Sequence, residues 1–114
     1  MKKFTVRHAG IRIKVKLLPT IKAVNREYRK GRHCKVNGVV HSFYEPNQSG
    51  SKGTMVLALS GNLVELVPHE VVHAVMWKIG KWVFCEDDER LATAVGELTK
   101  KILCKIARHY DNIL

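Results

Sequence analysis

Between residues 11 and 17 apolar and basic positions alternate, with Ile11, Ile13, Val15 and Leu17 separated by Arg12, Lys14 and Lys16. A period of two places each set on its own side of a strand, so the pattern predicts one buried face and one wet, basic face. Pro19-Thr20 ends that strand and opens a helix, in which Ile21, Val24 and Tyr28 form one stripe and Lys22, Arg26, Arg29 and Lys30 the other. Gly31 is its expected terminator. Two β-like runs, Val39 to Tyr44 and Thr54 to Leu59, flank the turn-rich stretch from Glu45 to Gly53, which predicts a hairpin. Asn37-Gly38 is a further tight-turn signal just before it.

The second half is helical. Asn62 with Glu65 three residues later forms a capping pair, but Pro68 lies inside the segment that follows. Either the helix starts near Asn62 and tolerates the proline, or Pro68 is its first residue; the capping pair favours the earlier start, and Gly80 marks the end. A last helix runs from about Asp88 to about Tyr110, with Leu91, Val95, Leu98, Ile102 and Ile106 on one stripe. The acidic Glu86-Asp87-Asp88-Glu89 run sits at its head, where the helix dipole favours negative charge. These elements predict an α+β fold, a small, mainly antiparallel sheet packed on about three helices. The 114 residues suffice for one core, hence one domain over residues 1–114.

Charge adds an asymmetry to this picture. Of the net +10, residues 1–60 carry thirteen Lys/Arg against Glu27 and Glu45, while residues 61–114 are close to neutral. A basic half of this kind either is a solvated face or contacts nucleic acid or an acidic protein. No apolar run is long enough for a membrane span, and no apolar segment follows Met1-Lys2-Lys3 as in a signal peptide. Three cysteines (Cys34, Cys85, Cys104) form no disulfide framework, which fits a reducing cytoplasm.

Candidate chemistry lies in His69-Glu70-Val71-Val72-His73, an HExxH motif on the predicted helix. Residues four apart differ by about 40° around a helix, so both imidazoles leave one face and can grip one Zn2+ at neighbouring vertices. Glu70 sits about 100° from His69, beside such a metal rather than on it, where it can take a proton from a water that the metal polarises. The expected reaction is hydrolysis of a peptide bond in a peptide or protein substrate. A catalytic zinc needs a third protein ligand. The extended HExxHxxGxxH pattern is not met, because Met76 stands at its glycine and Ile79 at its third histidine. The acidic run before the last helix supplies carboxylates instead. Glu89 is the best placed, with Glu86 and Asp88 as alternatives, since Ala92 and Gly96 line up with Glu89 and would let that helix press on the HExxH helix. Cys85 is a weaker candidate ligand. Cys34 beside His33 reads as a surface turn, His8 and His41 as ordinary polar positions, and Trp77 and Trp82 as packing at the helix junction.

The segment Leu63 to Val75, followed by Asp88-Glu-Arg-Leu-Ala-Thr-Ala-Val-Gly96, resembles small phage-encoded metallopeptidases of the gluzincin type. In these an HExxHA helix precedes a helix beginning D-E-x-x-A-x-x-x-G. Phe43-Tyr-Glu-Pro46 and Thr54 to Leu59 look like that group's strand pair, so the likeness spans about residues 39–104. It implies a minimal zincin-like domain with His69, His73 and Glu89 as zinc ligands and Glu70 as catalytic base. It also implies that strand 54–59 is the edge near the metal, where a peptide adds as a further strand, and that an oxyanion donor is present, for which Tyr44, His109 and Tyr110 are available. A more distant likeness is to the repressor-cleaving metallopeptidases of mobile elements, whose third-ligand helix begins E-A-N-x-F-A; Arg90-Leu91 departs from that. An alternative function is a catalytically idle zinc fold whose basic half is a binding module.

Overall fold

The computed structural model describes residues 3–30, 39–48, 51–79 and 88–110, with the side chains of residues 79 and 88–90 outside that description. Seven elements follow one another: β1 (Lys3–His8), β2 (Ile11–Leu18), α1 (Ile21–Arg29), β3 (Ser42–Pro46), β4 (Lys52–Ala58), α2 (Leu63–Ile79) and α3 (Asp88–His109). The strands form one sheet in the order β1-β2-β4-β3. Both hairpins, β1/β2 and β3/β4, are antiparallel, and they join through a parallel pairing of β2 with β4. The fold is therefore α+β with a mostly antiparallel sheet.

Alternation along the strands decides the two faces. Phe4, Val6, Ile13, Val15, Met55 and Leu57 point to one side, where α2 and α3 cover them with Val67, Val71, Ala74, Leu98, Ile102 and Ile106. On the other side α1 covers a smaller patch, Val24 packing with Phe43, Val56 and Ala58. Thr20 caps α1, its Oγ1 accepting from the Ala23 N–H at 3.1 Å. Lys16, on the basic face of β2, donates to Glu27 of α1 at 2.9 Å, and this hydrogen bond lowers the Glu27 pKa below its ordinary value. Gly31, at the predicted end of α1, and the Asn37-Gly38 turn lie outside the described residues.

β1 has no counterpart in the expected elements. Its two buried apolar residues, Phe4 and Val6, are too few to announce a strand, and the turn that makes it a hairpin is Ala9-Gly10. Both turn residues take positive φ (51° and 79°), as a type I′ turn requires, yet alanine rarely adopts that conformation. At the other end of the sheet, β4 is not an edge. Because β2 claims its inner side in parallel, β3 folds back on its outer side and becomes the edge strand, which corrects the expectation for strand 54–59.

α2 starts at Leu63 with Asn62 as its cap; Asn62 and Glu65 share a side-chain hydrogen bond of 3.3 Å, and the Asn62 Oδ1 accepts from the Glu65 N–H at 3.4 Å. Pro68 lies inside the helix. It removes the hydrogen bond to Val64, a cost that is small here because Val64 is exposed and water can reach that turn. α3 carries its buried stripe as expected, with Leu98, Ile102 and Ile106 fully buried. Its small residues do not press on α2, however: Ala92 and Gly96 are exposed, and a Cβ on Gly96 would meet nothing within 4 Å. Ala94 and Leu98, on the neighbouring stripe, are buried in the core that α2 shares instead.

Candidate metal centre

Leu63, Val67, Val71 and Ala74 mark the buried face of α2, and Glu70 falls on that same face. Its neighbours His69 and His73 lie to one side, His69 exposed and His73 half-buried. Their rings approach edge to face with centroids 5.0 Å apart. Ligand atoms of His69, Glu70 and His73 all lie within 4.8 Å of one another, close enough for this group to hold a metal ion. Two imidazoles and a carboxylate are a donor set for a divalent transition metal rather than for calcium or magnesium, which prefer oxygen alone.

A carboxylate that is only 4% exposed must be satisfied. Ser42, the first residue of β3, supplies a partner: its Oγ donates to Glu70 Oε2 at 2.7 Å. Nothing in the sequence marks Ser42, since a lone serine at the head of a strand carries no motif. Asn25, the other buried polar side chain among the described residues, serves the same stretch from the opposite side. Its Nδ2 donates to the carbonyls of Ile21 and Val40 at 2.8 and 2.7 Å, and its Oδ1 accepts from the Val40 N–H at 2.9 Å. The chain at 40–42 is thus held at one end by α1 and at the other by the Glu70 carboxylate.

Two hollows meet at the Ser42–Glu70 bond. One, of about 390 Å3, lies between the β3 edge and α2 and is lined by Phe43, Tyr44, Pro46, His69, His73 and Trp77 among others. The second, of about 730 Å3, continues past His69 to Val39, His41, Asn62 and Glu65. Trp77, expected to pack a helix junction, is 45% exposed and forms a cleft wall. His41, which the sequence gives no reason to single out, stands at the rim of the second hollow.

The backbone of β3 faces this cleft. The Asn47 N–H donates to the Lys52 carbonyl at 2.8 Å, which makes that facing pair a hydrogen-bonded one. Alternation along an antiparallel pair then assigns Phe43 and Glu45 to the ladder and turns the N–H and C=O of Ser42 and Tyr44 outward. Pro46 obeys the same rule, because its missing N–H falls on the outer side. Tyr44 leans over Gly53 of β4, where a Cβ would collide with its ring. Its hydroxyl is buried with no hydrogen-bond partner, and burial raises its pKa.

Of the residues expected at the site, the structure brings together His69, Glu70 and His73. Glu89 lies in the first turn of α3, but its side chain, like that of Asp88, is outside the described residues, as are Glu86, Cys85, Cys34, His33 and Trp82. His109 and Tyr110 line neither hollow, and Tyr44 lines the first with its hydroxyl buried over Gly53, so none of the three expected oxyanion donors presents its polar group to the cleft. Among the described residues no helix is long and apolar enough to cross a membrane. The fold and site therefore define a small α+β domain with a helix-borne His-Glu-His group beside an open sheet edge. No protein-family model, curated protein or solved structure matches the chain.

Proposed function

We propose that the protein is a zinc-dependent peptidase, with Glu70 as general base and His69, His73 and Glu89 as metal ligands. The observation that supports it most is the placement of Glu70, a buried carboxylate flanked by two imidazoles and opening on a cleft along a sheet edge. Imidazole donors suit zinc, as they do copper, iron and nickel, and Glu89, in the first turn of the helix that follows α2, is the ligand that the resemblance to gluzincin-type peptidases implies. When bound, zinc supplies a Lewis acid that polarises the attacking water and the scissile carbonyl.

The protein's own groups do the rest. Glu70 accepts the proton of the attacking water and returns it to the departing amine. Ser42 fixes the rotamer of Glu70, so that one carboxylate oxygen is held while the other is left to work. The outward N–H and C=O groups of Ser42 and Tyr44 pair with an extended substrate, and the hollows on either side of the Ser42–Glu70 bond receive its side chains.

The deciding experiment measures metal content and cleavage of a fluorescent peptide library on the wild type and two variants. Glu70→Gln is expected to keep its zinc and to lose about 10²–10⁴ in rate, the usual contribution of a positioned base. Glu89→Ala is expected to lose the metal. Undiminished cleavage by Glu70→Gln would overturn the mechanism, and full zinc occupancy in Glu89→Ala would overturn the ligand set.

A further inference from the structure

We propose that the open basic face of the sheet, opposite α2, docks the phosphate backbone of nucleic acid without reading its bases. This does not rest on the peptidase assignment. α1 covers only the part of that face around Phe43, Val56 and Ala58. Beyond it the strands present Arg7, Arg12, Lys14 and Lys52, all exposed, with Thr5 and Thr54 between them.

The register makes these cations an array. Arg7 stands directly opposite Arg12, and Arg12 directly opposite Lys52, so one row across three strands is wholly positive. The next row is Thr5, Lys14 and Thr54, ending on Glu45 at the β3 edge. Like charges set opposite one another destabilise a sheet, and a fold that keeps them breaks a local rule in the way functional surfaces do. Lys16 shows the contrast: where α1 covers the same face, the lysine is neutralised by Glu27 at 2.9 Å. Arg12, Lys14 and Lys52 line a shallow hollow of about 420 Å3, with Glu45 at its β3 side. Thr5 also lines a second hollow of about 590 Å3 at the β1 edge, shared with Arg7 and with four cations of α3, Lys100, Lys101, Lys105 and Arg108, against one acid, Glu97. The positive surface therefore continues from the sheet face around the edge onto the helix.

What this surface lacks, among the described residues, selects the partner. The exposed large apolar side chains are Val39, Val64, Val72 and Trp77, none of them on these strands. A protein partner would call for an apolar centre to the interface, a bilayer for residues to insert, and base recognition on single strands for aromatic platforms. An evenly charged polyphosphate needs only cations at regular spacing and hydroxyl donors beside them.

The test is fluorescence anisotropy of a short random-sequence DNA duplex titrated with the full chain over about 50–200 mM salt. The logarithm of the affinity is expected to fall linearly with the logarithm of salt concentration. In the double variant Arg12→Gln/Lys14→Gln the affinity should drop about tenfold and the salt slope by about 2. Lys22→Gln/Arg26→Gln, which removes equal charge from the exposed side of α1, should bind nearly as the wild type does. The proposal is overturned if the Arg12/Lys14 variant binds as tightly as the wild type, or if both double variants lose affinity equally. Tighter binding to phosphatidylserine vesicles or to polyglutamate than to the duplex at the same salt would overturn it as well.

Discussion

The two edges of the sheet are treated in opposite ways. Along β1 the outward carbonyls of Arg7 and Thr5 are capped by α3, Lys101 Nζ donating to the first at 2.7 Å and Lys105 Nζ to the second at 3.2 Å. Lys105 also lies over the Phe4 ring, 5.6 Å from its centroid. Along β3 the outward groups of Ser42 and Tyr44 meet no hydrogen-bonding side chain among the described residues and border the cleft that holds His69, Glu70 and His73. An unpaired edge is a hazard that proteins usually blunt with lysines. That one edge is blunted and the other is left beside a group that could hold a metal ion points to the second as the working edge.

Substitutions at three places probe this contrast. The largest effect is expected at the open edge, from Ser42→Ala. Removing the hydroxyl strands a buried carboxylate, at a cost of about 1–3 kcal/mol in urea unfolding. It should also lower kcat for metal-dependent cleavage about tenfold while zinc content stays constant. Ser42→Thr, which keeps the hydroxyl, should recover most of both; a threonine variant as impaired as the alanine one would count against a positioning role. Next in size is the closed edge. Lys101→Ala with Lys105→Ala should cost about 1–2 kcal/mol and expose β1, so sedimentation should show concentration-dependent association that the wild type lacks. A double variant that stays monomeric would remove the protective role of those lysines.

Tyr44→Phe is the smallest of the three. Deleting a buried hydroxyl with no partner should stabilise the fold by about 1 kcal/mol, while turnover stays as in the wild type, because that hydroxyl is closed to the cleft. It should also alter the alkaline limb of the stability curve. Burial raises the Tyr44 pKa, so the neutral form favours the folded state; that contribution is complete below pH 10 and is lost as pH rises further. Unfolding followed by circular dichroism from neutral to alkaline pH should therefore show a steeper decline for the wild type than for Tyr44→Phe. Parallel curves would place the tyrosine in water rather than in the cleft wall.

Much of this arrangement is legible along the chain because it is local. The period of β2, the Thr20 cap of α1, the turn between β3 and β4 and the Asn62 cap of α2 each sit within a few residues of the element they define. The HExxH spacing is local too. What escapes a linear reading is pairing at a distance. Nothing near Met55 announces that it will lie beside Val15 in parallel, and that pairing alone makes β3, not β4, the outer strand. Ser42 acquires its role only through a contact 28 residues away. The small residues Ala92 and Gly96 read as a packing stripe, yet the adjacent stripe has more apolar surface to bury and takes the inner position. β1 escapes because an alanine occupies a turn position where asparagine or glycine would have been the signal.

Asn25 has a consequence for how such a domain can change over evolutionary time. Its amide grips Val40 at both backbone groups, as a neighbouring strand would. The residues between α1 and Val39 therefore do not have to measure out the distance to Ser42; the clamp resets the count on the far side of them. Insertions and deletions in that connection should be tolerated without shifting the serine against Glu70, whereas one residue added between Val40 and Ser42 would turn it to the other face. Descendants of this fold should accordingly differ freely in length before Val39 and hardly at all after it.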